Sequence, residues 1–130
     1  MFCLSYRNRK KLAVFFQLWD QPLMTVNGEH VLSDVMDLCG GRNIFASLTI
    51  LTPTVSREAV LDRKPDAIIA TDISLEQLKL GWKSYSRIPA VRADNYFVLS
   101  ADLLHRQGPR LIDGARQLCL ALEQARQHQS

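Results

Sequence analysis

Leu12-Ala13-Val14-Phe15-Phe16-Gln17-Leu18-Trp19 opens on an unbroken apolar run. A strand with one wet face would alternate apolar and polar residues. A short continuous run rich in aromatic and branched residues instead fits a strand buried on both sides, as in a parallel sheet covered by helices. Ala67-Ile68-Ile69-Ala70-Thr71 has the same character, and Tyr96–Ser100 supplies a further strand.

The intervening segments read as helices and turns. Asn27-Gly28 is a turn signal. Val31, Leu32, Val35, Met36 and Cys39 then recur at helical spacing over His30–Cys39, and Gly40 suits the left-handed residue past a helix end. Arg42–Val55 reads as short strand or loop, broken by Pro53. Ser56 is an N-cap, with Glu58 in the first turn of a helix that runs to about Arg63 and stops at Lys64-Pro65-Asp66. Ser74 caps a helix over Leu75–Tyr85, with Leu75, Leu78, Leu80 and Trp82 among its apolar members. Ile88–Val91 reads as extended around Pro89. Pro109 opens the last and longest helix, with Leu111, Ile112, Ala115, Leu118, Cys119 and Leu122 on one stripe and Gln124–Ser130 as a polar tail. Strands alternating with helices predict an α/β fold: a three-layer α/β/α lobe on a mostly parallel sheet.

A chain of 130 residues has the size of one domain. Hydrophobic residues at 47% and charged residues at 22% exclude a disordered chain. Much of the net charge of +3 lies in Arg7, Arg9, Lys10 and Lys11, which leaves no broad basic face and argues against a nucleic-acid partner. Residues 1–11 read as a basic leader and residues 12–127 as the folded lobe. No run approaches the roughly 18 apolar residues of a membrane span. Met1–Lys11 also lacks the long apolar region and cleavage site of a secretory signal, so the sequence as written predicts a cytosolic chain without membrane insertion.

Signatures of catalysis are missing: there is no G-x-S-x-G elbow, no phosphate loop and no G-x-G-x-x-G. His30, His105 and His128 are scattered, without metal-ligand spacing. In open α/β sheets, ligands sit beyond the carboxyl ends of the strands. That rule points to Trp19–Thr25, Leu51–Ser56, Thr71–Ile73 and Ser100–Arg106. Trp19 beside Pro22, Leu23 and Met24 would either form an apolar wall for a ligand or close the core. Cys39 and Cys119 fall on the apolar faces of two different helices, which allows a disulfide or two buried free thiols. Cytosolic thiols would stay reduced, and Cys3 has no evident partner.

Four motifs in order carry a family likeness. They are Val14-Phe15-Phe16-Gln17, Leu38-Cys39-Gly40-Gly41-Arg42-Asn43-Ile44-Phe45, Pro53-Thr54-Val55-Ser56-Arg57-Glu58, and Ala101-Asp102-Leu103-Leu104-His105-Arg106 ahead of Gly108-Pro109-Arg110. Together they resemble the periplasmic substrate-binding proteins of vitamin B12 (cobalamin) and iron-siderophore ABC importers, most closely the B12 branch. Such proteins are two lobes joined by a long helix, with ligand in the cleft between them. The likeness covers residues 12–126 and only the carboxyl-terminal lobe of the family, so the basic leader would correspond to the end of the connecting helix.

The resemblance implies a substrate-binding protein that performs no catalysis and uses no cofactor, with cobalamin as cargo, an importer permease as partner and a periplasmic setting. It also implies a Cys39–Cys119 disulfide. By loop entropy, closing a loop of that length stabilises a fold by about 4.5 kcal/mol. The ligand face it implies falls on Met24, Thr52, Asp102 and Arg106, next to Trp19. Asp102 would accept from an amide N–H, and Arg106 would donate to an amide oxygen or a phosphate. The chain departs from the B12 pattern at Met24 and Thr52, where aromatic residues would stack on the ligand. Siderophore or haem-type ligands therefore stay open, as does an inactive remnant lacking the other lobe. Glu58 matches the acidic residue with which this lobe would dock on the permease; helix N-termini favour carboxylates in any case.

Overall fold

Alternate residues of the apolar runs enter opposite layers. Leu12, Val14 and Phe16 join one core, and Ala13 and Phe15 join the other. The same alternation sends Ala67 and Ile69 to the first and Ile68 and Ala70 to the second. Period-2 geometry thus explains why both strands are apolar at every position.

The computed structural model describes residues 11–100 and 109–129, with side chains for 11–100 and 112–127. The elements are β1 (Leu12–Gln17), α1 (Val31–Leu38), β2 (Gly41–Asn43), α2 (Arg57–Arg63), β3 (Ala67–Ala70), α3 (Leu75–Trp82), α4 (Pro89–Arg92), β4 (Tyr96–Val98) and α5 (Pro109–Gln129). The strands make one parallel sheet in the order β2-β1-β3-β4. Its register sets Leu12 beside Gly41 and Val14 beside Ala67. Leu32, Val35 and Met36 of α1 cover one face together with Leu118, Leu122 and Ala125 of α5. Val60 of α2, Leu78 and Trp82 of α3 and Ala90 of α4 cover the other. The expected three-layer α/β/α arrangement is present.

Local signals act as their chemistry requires. Ser56 Oγ accepts from the Ala59 N–H at 3.0 Å, and Ser74 Oγ from the Gln77 N–H at 3.1 Å, each satisfying an orphan donor of its helix. Gly40 takes a left-handed φ of 79° just after α1. Cys39 and Cys119 are bonded across a Cα–Cα distance of 4.7 Å, which joins the end of α1 to α5 and rules out the two free thiols.

Three expectations need correction. Ile88–Val91 is not an extended segment: Ile88 is the extended N-cap, and Pro89 starts α4, because proline is tolerated where the first helical N–H has no partner. Gln124–Ser130 is not a tail, since α5 continues to Gln129. Ala125 is buried there, and Arg126 Nη2 donates to the carbonyls of Cys39 at 3.0 Å and Gly40 at 2.7 Å. Leu75, Leu80 and Ile112 belong to no core; each faces solvent, and α3 ends at Trp82.

Candidate functional site

Beyond the carboxyl end of β1 the chain folds back on itself. The Leu18 N–H donates to Met24 O at 2.8 Å, and the Met24 N–H to Trp19 O at 3.1 Å. This returning strand is then stitched to the loop before α2. The N–H groups of Thr25, Asn27 and Val55 donate to the carbonyls of Pro53, Leu51 and Leu23 at 2.9–3.1 Å. Trp19, Met24 and Thr52 therefore sit on one backbone-bonded surface. Trp19 is 57% exposed, so it does not close the core. Ile50 and Leu51 of the second loop are exposed as well.

Beside Trp19, the ends of β1 and β3 enclose a hollow of about 210 Å³. Gln17, Trp19 and Asp20 line one wall, and Thr71, Asp72 and Gln77 the other. Its floor is fixed from below. The buried Gln17 Oε1 accepts from Trp82 Nε1 at 2.8 Å. Arg57 lies over the Trp82 ring at 4.6 Å, and its Nη2 reaches Asp20 Oδ1 at 2.9 Å. This ion pair offsets the Asp20 charge. Among the described residues, Asp72 has no ion-pair partner, and the buried Thr71 hydroxyl has no hydrogen-bond partner.

Trp19 is the expected residue that lines the hollow. Met24 and Thr52 are half-buried on the adjoining loops, outside it. Glu58 stands exposed in the first turn of α2, where its Oε2 accepts from the Tyr85 hydroxyl at 3.3 Å. Asp102 and Arg106 lie outside the described residues. The strand-end rule found the segments holding Asp20 and Asp72 without singling out either residue, and it stopped short of Arg57 and Gln77. The available signal was a polar Thr71-Asp72 pair directly after an all-apolar strand. Among the described residues no group of three His, Cys, Asp or Glu could hold a metal ion. No described helix is long and apolar enough to cross a membrane.

No family model matches the chain. The vitamin B12-binding protein of Photorhabdus laumondii is 44% identical over 118 residues, a match covering 91% of this chain and 42% of that protein. The crystal structure of the periplasmic vitamin B12 binding protein of Vibrio cholerae superposes with a TM-score of 0.83 at 33% identity, covering 96% of this chain and 49% of that one. The periplasmic heme binding protein of the same organism shares the fold, with a TM-score of 0.77 at 19% identity over 92% of this chain and 50% of that one. This chain spans about two fifths of the length of the curated relatives and about half of the solved chains. The chain is thus similar, over about nine tenths of its length, to a part of the periplasmic vitamin B12-binding proteins.

Proposed function

We propose that this lobe supplies one side of a cobalamin-binding cleft in the substrate-binding component of an ABC importer. The protein captures and delivers its cargo without reaction, and it holds no resident cofactor. The observation carrying this reading is that Trp19, Met24 and Thr52 share one surface beyond the strand ends, in a chain closely similar to vitamin B12-binding proteins. A corrin is a broad apolar plane ringed by amides, so an exposed indole beside a polar hollow is a suitable counterpart. Asp102 and Arg106 would complete the rim as hydrogen-bond acceptor and donor. The disulfide agrees with a periplasmic setting, since such bonds persist in oxidising compartments.

Calorimetric titration with cyanocobalamin tests the reading. Expected is saturable binding that weakens about tenfold in Trp19→Ala, in line with loss of one aromatic anchor. A folded chain that releases no heat at high micromolar ligand would be the inactive remnant, and the reading would fall. The half-buried thioether of Met24 favours haem as a second reading, because sulfur is an accepted axial ligand of haem iron. Tighter binding of haemin than of cyanocobalamin would favour that alternative.

Glu58 is the proposed permease contact on this lobe. It is exposed and steadied by Tyr85, and it would meet cationic side chains of the membrane subunits. Charge reversal by Glu58→Lys should weaken capture by the importer while cobalamin binding stays unchanged. Unaltered capture would reject the docking role.

A further inference from the structure

We propose that the hollow between the ends of β1 and β3 is a subsite for a neutral primary carboxamide, such as those that ring a corrinoid. The inference rests on the proposed cobalamin reading only for the origin of that group. Thr71 is 4% exposed and lines the hollow, yet its hydroxyl has no partner among the described residues. A buried hydroxyl is normally hydrogen-bonded, and leaving one unpaired is costly. Its hydrogen rotates to meet whatever acceptor enters, and an amide carbonyl is one. Asp72 stands next to it in a left-handed backbone conformation, φ 57°, with its carboxylate exposed at the hollow. The Asp72 carboxylate can accept from the amide NH2, Gln77 can serve either atom, and the Trp19 ring can flank the methylenes.

Charge selects among ligand classes. Ser74 already occupies the N-terminus of α3, and two carboxylates line the walls, so an anion is turned away. Arg57 neutralises Asp20, which leaves about one uncompensated charge. A cation could use that charge and the lone pairs of the Thr71 oxygen, but it offers no acceptor for the Thr71 hydrogen. A carboxamide engages both an acceptor and a donor.

The test is a titration of the 15N-labelled chain with propionamide, sodium propionate and methylammonium chloride, following the Thr71 and Asp72 amides and the Trp19 indole N–H. Propionamide should produce saturable shifts at these positions, and propionate should produce none. Thr71→Val should weaken propionamide about fivefold or more, the scale of one hydrogen bond, while Thr71→Ser retains binding. Well-dispersed spectra of both variants would show that they fold. Methylammonium or propionate binding as tightly as propionamide would overturn the proposal, and so would an unchanged Thr71→Val. Cyanocobalamin in a parallel titration separates the two readings. If propionamide saturates these resonances and cyanocobalamin moves nothing, the subsite stands and the corrinoid reading fails. If cyanocobalamin binds while propionamide leaves Thr71 and Asp72 unmoved, the subsite fails and the corrinoid reading stands.

Discussion

The two faces of the sheet bury comparable apolar runs from the same strands but are held together by different means. On the face covered by α1 and α5 the packing is mostly aliphatic, and the disulfide joins helices whose cysteines are 80 residues apart. Arg126 adds two hydrogen bonds across the same junction. On the face covered by α2, α3 and α4 no covalent tie is present. Phe15 makes edge contacts with Phe45 at 6.0 Å and Trp82 at 5.6 Å, and Trp82 with Tyr85 at 5.6 Å. The helices of this face follow one another along the chain around β3, so bringing them together closes only short loops. Loop closure between distant segments costs more chain entropy, and that is where a cross-link has most to offer. The second face also supports the candidate site: Trp82 secures Gln17 and Arg57, and through them the hollow and Asp20.

The contrast can be challenged in solution. Reducing the Cys39–Cys119 bond should lower stability by up to about 4.5 kcal/mol in urea unfolding. Hydrogen exchange should then loosen α1 and α5 before α2 and α3; simultaneous loss on both faces would remove the distinction drawn here. Trp82→Phe keeps most of the ring but leaves Gln17 Oε1 buried without its donor, which should cost about 2 kcal/mol. Adding Gln17→Leu should recover part of that loss, and no recovery would mean that the hydrogen bond is not the cause.

Tyr96, also on the second face, offers a pH probe. Burial, with a smaller contribution from Asp94, pushes its phenol up to about 12 from 10.0. The folded state thus favours the protonated form. Its contribution to stability is complete below pH 10 and is lost as pH rises from about 10 towards 12. Melting temperatures across this range should fall less steeply in Tyr96→Phe; parallel curves would contradict the assignment. The smallest effect is expected at a cap: Ser56→Ala should cost about 1 kcal/mol by chemical denaturation, and Ser56→Asp should restore most of it.

What could be read directly along the chain was local. The all-apolar strands announced a covered parallel sheet, Ser56 and Ser74 announced helix starts, and Gly40 a helix end, because each acts within a few residues of itself. The same local logic misjudged Gln124–Ser130, whose polar composition hides a helix that continues because Ala125 enters the core and Arg126 finds the carbonyls past α1. It also could not choose between a bridge and free thiols, since that depends on how closely α1 and α5 approach. The candidate site was legible only as strand-end segments. Which residues share the hollow follows from the β2-β1-β3-β4 order, which sets the end of β1 next to the end of β3. Strand order is a competition among long-range pairings, and no pattern with a period of a few residues records its outcome.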